Sequence, residues 1–131
     1  MITGKRGKDR RSGFRYKRGK ISSGERKIIR FLRDNNIKYL REITFKNLIN
    51  PMTGNHLYFD FYIPKFKVII EVQGDQHFKF VPDFHKDLQH FEYQQLKDQF
   101  KREYCIKHHY NLIAIPYTQI DDLVFLLEVL K

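Results

Sequence analysis

Acidic, amide and imidazole side chains follow a run of branched aliphatic residues in the stretch VIIEVQGDQHF, residues 68–78. In a β-strand alternate side chains point to the same face, so Glu71 and Gln73 lie on one face of this strand. Gly74 permits a sharp turn, and His77 leaves the strand end with it. The stretch therefore predicts either a surface turn after a buried strand or one part of a metal-dependent active site.

A second acidic residue precedes this stretch in the alternating run LYFDFYI, residues 57–63. The alternation predicts an apolar face made of Leu57, Phe59, Phe61 and Ile63. The opposite, more polar face is made of Tyr58, Asp60 and Tyr62. If the two strands pair across the short turn at Pro64, Asp60 and Glu71 converge. Two carboxylates in apolar surroundings are costly unless a cation lies between them, and Mg²⁺ takes such oxygen ligands. The alternative is that both acids lie at strand ends in solvent.

His77 is the one histidine with a chemical context, because it lies on the exit turn of the strand that carries Glu71. Near neutral pH a histidine can accept a proton from a metal-bound water or hydrogen-bond a phosphate. The other five histidines have no comparable neighbours. Cys105 has no adjacent base, so we assign it to packing.

The polar segment 84–107 contains no glycine or proline and predicts a helix. Two apolar stripes on different sides predict a bend or break near residue 92, one made of Tyr93, Leu96, Phe100 and Tyr104 and the other of Phe84, Leu88 and Phe91. Asp98 falls about 160° from the first stripe, at about 100° per residue, and shares a flank with Lys101. That flank faces either the sheet edge and an active site or only water.

The other elements surround these segments. Ser22 or Ser23 is predicted to cap a helix that has Glu25 in its first turn. Strands are predicted at residues 38–45, 57–63, 67–72 and 111–117, and an apolar-faced helix at 119–131. This order predicts an α/β fold with a mixed β-sheet of about four strands flanked by helices. Residues 21–131 form one predicted domain, preceded by a basic, flexible tail of residues 1–20.

The tail holds most of the charge, because the chain has a formal net charge of +10 and residues 1–20 carry nine Lys/Arg against one acid. Cations at this density match a phosphate backbone, so we predict that the tail binds nucleic acid. Its predicted DNA-binding residues are Lys5, Arg6, Lys8, Arg10, Arg11, Arg15, Lys17, Arg18 and Lys20. Nonspecific binding to RNA or to an anionic membrane surface is the less specific alternative for a basic tail.

The single cysteine excludes an internal disulfide and a Cys-rich zinc site. No apolar run approaches the roughly 18 residues that a membrane span requires, and the N-terminus has no apolar signal core. We therefore expect a soluble protein of a reducing compartment, the cytoplasm, with no membrane partner.

Three motifs, EVQGDQHF, QLKDQFKREYC and NLIAIPY, occur in this order and resemble a pattern of phage and mobile-element nucleases. The chain thus resembles the very-short-patch-repair-like branch of the PD-(D/E)XK nuclease superfamily, closest to the EDxHD homing endonucleases. The resemblance covers residues 22–118 and implies a restriction-endonuclease-like fold. The four letters of the group's name fall on Glu25, Asp60, His77 and Asp98.

The resemblance implies a metal-dependent endonuclease of double-stranded DNA, with Mg²⁺ held by Asp60 and Glu71, with Mn²⁺ as a substitute, and with no zinc. Gln73 stands where many relatives carry a catalytic lysine, so Gln73 and Lys101 become candidates for positioning water and contacting phosphate. Glu25, His77 and Asp98 complete the expected catalytic set. An endonuclease that cleaves both DNA strands with one active site per chain is most simply a homodimer. The alternatives are a junction-resolving nuclease, a non-catalytic nucleic-acid-binding module on the same fold, and a structural protein whose tail binds RNA.

Overall fold

The structure is a computed structural model that describes residues 2–5, 21–74 and 88–130, with the backbone alone described for 2–5. Its elements, in chain order, are β1 (Ile2–Lys5), α1 (Ser23–Asp34), β2 (Leu40–Phe45), β3 (Phe59–Ile63), β4 (Val68–Gln73), α2 (Leu88–His108), β5 (Asn111–Pro116) and α3 (Phe125–Val129). Short 3-10 turns at Pro64–Phe66 and Tyr117–Gln119 follow β3 and β5. None of the described helices combines the length and the apolar character that crossing a bilayer would take.

The strands form a single mixed sheet in the order β1-β2-β3-β4-β5. The first three pairings are antiparallel, and β4 pairs with β5 in parallel, from Val68 opposite Asn111 to Gln73 opposite Pro116. A parallel pair needs a crossover connection, and α2 lies in that connection. The prediction of a mixed α/β sheet flanked by helices is thus confirmed for β2–β5.

The edge strand β1 was not predicted from the sequence. It pairs with β2 and places Lys5 opposite Ile43. Lys5 is one of the nine cations that we predicted to bind DNA. The other eight, from Arg6 to Lys20, lie outside the described residues.

Apolar side chains cover both faces of the sheet, as expected for the continuous aliphatic run of β4. On one face Ile70 packs in a cluster with residues of α1 and α3, among them Ile28, Leu32 and Leu126. On the other face Ile69 packs in a cluster that includes Cys105 of α2. The sheet is therefore the central layer, and any polar group placed within it is desolvated on both sides.

The predicted alternation of β3 was wrong. Phe61 and Ile63 pack on the α1 face, whereas Phe59 packs on the α2 face together with Tyr62. The side chains change face at Asp60, and on β2 the residue opposite it, Glu42, adopts a positive φ of 53°. A left-handed residue interrupts the regular pleat, so strict alternation does not extend through this point.

The prediction for α2 also needs correction. A single helix runs unbroken from Leu88 through residue 92 to His108, so the predicted break is absent, and residues 84–87 lie outside the described part. Leu96 of the predicted core stripe is 40% exposed, and the buried residues of the helix are Asp98 and Cys105. The flank that carries the acid therefore packs on the sheet. The last helix is shorter than predicted, since only Phe125–Val129 is α-helical.

The start of α1 is built as predicted. The Ser22 hydroxyl accepts a hydrogen bond from the Glu25 backbone N–H at 3.1 Å, and the Glu25 carboxylate accepts one from the Ser22 N–H at 3.1 Å. This reciprocal capping box satisfies two of the amides that a helix start leaves unpaired. It also holds the Glu25 side chain close to the helix start.

We expect Ser22→Ala to lower the free energy of unfolding by about 1 kcal/mol, because the Glu25 amide loses its acceptor. Urea denaturation at constant pH measures this loss. Ser23→Ala, at the exposed first residue of the helix, is the matched control and should change stability by only a few tenths of a kcal/mol. Equal losses in the two variants would contradict the assignment of Ser22 as the cap.

Candidate active site

Asp60 and Glu71 meet where the pairing of β3 and β4 ends. The ladder runs from Ile63 opposite Val68 to Phe61 opposite Ile70. Beyond it, the Asp60 N–H donates to Glu71 Oε2 at 3.2 Å, and the Val72 N–H donates to Asp60 Oδ2 at 3.0 Å. Side-chain carboxylates thus replace main-chain acceptors at this position. The predicted convergence of the two acids is confirmed.

Both acids are poorly hydrated, and this shifts their protonation. Burial raises the pKa of Asp60 well above its usual 3.8, and the charges of Glu71 and Glu25 raise it further, against the lowering effects of the Val72 N–H and Lys101. Burial likewise raises the pKa of Glu71, although Lys101 and the Asp60 N–H oppose the shift. Burial is the largest cause of the shift in both acids, so each carboxyl keeps its proton to a higher pH than it would in water.

Lys101 brings a positive charge to this pair from α2. Its Nζ lies 3.3 Å from Glu71 Oε1 and 3.2 Å from Oε2, and 5.6 Å from the centre of the Phe59 ring. The side chain of Lys101 is 17% exposed and that of Glu71 is 8% exposed, so the ion pair is largely shielded from water. This contact connects α2 to β4 at the site.

Glu25 approaches the pair from the start of α1. Its carboxylate lies 3.9 Å from Arg41 Nη2, and its charge contributes to the raised pKa of Asp60. Gly24 allows this approach, because a Cβ there would lie 3.1 Å from Val72 Cγ1 on β4. The three acids and Lys101 border one cleft of about 440 Å³, which we call the acid cleft. Its lining comprises Ser22, Ser23, Gly24, Glu25, Asp60, Glu71, Val72, Gly74, Lys101 and Tyr117.

Gln73 and Asp98 belong to a neighbouring cleft of about 390 Å³, which Glu71 and Lys101 also border. Asp98 is buried, accepts a hydrogen bond from Gln94 Nε2 at 3.4 Å, and contributes to the raised pKa of Glu71. Cys105 lines the same cleft, and burial raises the pKa of its thiol to about 12. The structure thus separates Gln73 and Asp98 from the acid cleft by the Glu71–Lys101 pair.

His77, the predicted proton acceptor, lies outside the described residues, so its role stays a prediction. Sequence reasoning did not single out Arg41, which the structure places against Glu25 with a buried Nε that has no hydrogen-bond partner. Nothing in the local sequence distinguishes this arginine from the many other cations. Its importance depends on the packing of β2 beside α1.

The donor chemistry of the acid cleft suits a hard divalent cation. Asp60 and Glu71 offer carboxylate oxygens to the cleft, and such oxygens are the ligands that Mg²⁺ and Mn²⁺ prefer. Within residues 21–74 and 88–130 no three His, Cys, Asp or Glu side chains are grouped as a complete metal site. A cation held here would therefore take only part of its coordination from the described residues, which is usual for Mg²⁺ sites that act on phosphates.

Comparisons with known proteins find relatives that are encoded by viruses. The chain is 38% identical over 127 residues to protein 307L of Invertebrate iridescent virus 6, which covers 86% of this chain and 64% of that protein. It is 39% identical over 94 residues to protein 094L of Frog virus 3, which covers 71% of this chain and 61% of that protein. Both relatives are described as uncharacterized.

A third relative, the uncharacterized protein 033L of Invertebrate iridescent virus 3, is 38% identical over 71 residues, which is 54% of this chain and 37% of that protein. The chain thus spans less than two thirds of the length of each of these relatives. No model of a protein family matches the chain. No solved structure matches it either.

The raised pKa values predict how stability depends on pH. For a group whose pKa is higher in the folded state, the stabilising effect is complete below the unfolded pKa and is lost as pH rises through the folded pKa. Asp60→Asn removes one ionisation while an amide oxygen can still accept from the Val72 N–H. We therefore expect the variant to unfold at a higher temperature than the wild type at pH 7–8 without metal, and the difference to disappear towards pH 4.

Thermal unfolding in EDTA at a series of pH values measures this effect. Asp122→Asn is the matched control, because Asp122 is exposed in the turn before α3. A wild type and an Asp60→Asn variant with the same unfolding temperature at every pH would show that burial of Asp60 does not limit stability.

Proposed function

We propose that this chain is a metal-dependent DNA endonuclease of the PD-(D/E)XK type, with a restriction-endonuclease-like arrangement of its sheet and helices. One observation carries the proposal: Asp60 and Glu71 meet across β3 and β4, with the ammonium group of Lys101 on Glu71. Two carboxylates held together beside one lysine, with pKa values that burial raises, are an arrangement common at catalytic sites, and a divalent cation between them would stabilise both.

In this proposal Asp60 and Glu71 hold Mg²⁺, for which Mn²⁺ can substitute. When bound, the metal polarises the scissile phosphate and stabilises the negative charge that develops on it. The hydrogen bond from the Val72 N–H orients Asp60, and the hydrogen bond from the Asp60 N–H orients Glu71. Both carboxylates are therefore positioned by main chain, which leaves little freedom to their side chains.

Lys101 supplies the ammonium group that the strand itself lacks, since β4 carries Gln73 at the position of the usual lysine. From α2 it borders the acid cleft and contacts Glu71, so it is placed to bind a phosphate oxygen or to orient the attacking water. Glu25 lines the acid cleft from the start of α1, where its carboxylate orients the Ser22 N–H and Arg41. His77 remains the proposed proton acceptor, and Asp98 acts through its charge on Glu71.

The proposed substrate is double-stranded DNA, which the basic residues of the tail bind through its phosphates. A homodimer would cut both strands with one site per chain. The proposed location is the cytoplasm of the cell in which the DNA is processed.

Cleavage of supercoiled plasmid DNA in Mg²⁺ tests the proposal. We expect EDTA to abolish cleavage by the wild type and Mn²⁺ to restore it. Asp60→Asn should lower the cleavage rate at least about 10²- to 10³-fold, because the carboxylate that holds the metal is lost. Lys101→Ala should lower the rate about 10²-fold or more, since the ammonium group near the phosphate is lost.

Asp122→Asn is the control for the loss of an acidic charge and should cleave at the wild-type rate. Binding of a duplex oligonucleotide in EDTA should be nearly the same for Asp60→Asn and the wild type, which would assign the defect to chemistry. Full cleavage by Asp60→Asn would remove this residue from the site. A wild type that binds DNA but never cleaves it would favour a non-catalytic module on the same fold.

A further inference from the structure

A second polar cleft, of about 300 Å³, lies between the β2–β3 connection and α2. Nine of its ten lining residues carry hydrogen-bonding or cationic side chains: Asn50, Thr53, Asn55, His56, Tyr58, Tyr93, Gln94, Lys97 and Lys101. None of the described residues that line this cleft carries a carboxylate. It therefore differs in charge from the acid cleft, where three acids line the wall.

The walls of this cleft are held in place by specific contacts. Asn50, which is buried, donates from Nδ2 to the Tyr93 hydroxyl on α2 at 2.8 Å, and its N–H donates to the Asn55 carbonyl at 2.8 Å. A β-bridge joins Ile49 to His56, whose Nδ1 lies 3.2 Å from the Thr44 hydroxyl. The connection is thus a compact hairpin-like loop that is fixed to α2, and the polar groups of the cleft are preorganised.

Lys101 borders both clefts, so the acid cleft and this polar cleft meet at its side chain. Lys97 lies one helical turn before it on the same face of α2, and side chains at this spacing have Cβ atoms about 5–6 Å apart. The Nζ of Lys97 sits 4.8 Å above the centre of the Tyr93 ring, a contact that limits the freedom of the ammonium group. Two lysines one turn apart on the same helix face can therefore contact successive phosphates along one strand.

We infer that the polar cleft is a phosphate subsite, which binds the sugar–phosphate backbone of the nucleic-acid strand next to the bond cut in the acid cleft. The inference rests on the proposed endonuclease function and assigns a place to the substrate within it. Lys97 supplies the main charge, His56 and the Thr53 hydroxyl supply hydrogen bonds, and the absence of carboxylates among the described lining residues avoids repulsion. The strand then runs along α2 from Lys101 to Lys97.

Binding of a fluorescent duplex oligonucleotide in EDTA, over a series of salt concentrations, tests the subsite. Loss of one phosphate contact should make the slope of log K against log salt shallower by about 0.9, and weaken binding about five- to tenfold near 0.1 M salt. We expect this from Lys97→Ala, a larger loss from Lys97→Glu, and a nearly normal slope for Lys97→Arg. The loss should be the same for oligonucleotides of different sequence.

Lys107→Ala is the matched control, because Lys107 is an exposed lysine of the same helix that borders none of the clefts described above. Its salt slope should equal that of the wild type. Where plasmid is cleaved, Lys97→Ala should raise KM and leave kcat within about twofold, since the lost contact is made equally before and during the reaction.

The outcomes separate this inference from the proposed function. A wild type that cleaves plasmid, combined with an unchanged salt slope for Lys97→Ala, overturns the subsite and leaves the endonuclease in place. An equal loss for Lys97→Ala and Lys107→Ala overturns it also, because it shows diffuse attraction along α2. A shallower slope for Lys97→Ala alone, in a protein that does not cleave, supports a backbone-binding cleft and contradicts the endonuclease.

Discussion

The ion pair between Glu71 and Lys101 is the contact on which the arrangement of the site depends. Glu71 accepts the Asp60 N–H from β3 on one side and the Lys101 ammonium from α2 on the other. It therefore connects two strands and the crossover helix at the point where the β3–β4 ladder ends. Loss of one partner of a shielded ion pair leaves an uncompensated charge and is therefore destabilising. We expect this pair to fix the positions of β3, β4 and α2 relative to one another.

An irregular strand at the centre of the sheet lies next to this contact. A regular β3 would direct Phe59 and Phe61 to the same face, whereas the structure places them in different clusters, with the change at Asp60. The opposing residue Glu42 has a positive φ, a conformation that costs a non-glycine residue of the order of 1 kcal/mol or more. Local strain and a half-buried acid thus occur together, as is common where a fold gives up stability to build a site.

Helix α2 both packs on the sheet and supplies charged side chains to the site, and its apolar pattern alone does not indicate this. Its buried positions are Asp98 and Cys105, while Leu96 is largely exposed. The flank of Asp98, Lys101 and Cys105 faces the sheet. Lys101 borders all three clefts, and the Glu71 carboxylate borders two of them. Lys101 therefore lies at the boundary between the acid cleft and the two clefts beside it. Because it is on a helix, the direction of the helix indicates the course of a bound strand.

The chain order of the elements, the cap at Ser22 and the convergence of Asp60 with Glu71 were determined by local sequence, because strand pairing across a short turn and helix capping involve residues close in the chain. Tertiary structure alone decided four other features: the switch of face at Asp60, the orientation of α2, the pairing of Arg41 with Glu25, and the edge strand β1. Each joins elements that are distant in the chain, and α2 shows the reason most clearly. Phe100 and Tyr104 of its predicted apolar stripe pack against the core, but the buried residues of the helix are Asp98 and Cys105. The Lys101–Glu71 ion pair lies on this side of the helix, and no pattern within the helix indicates it.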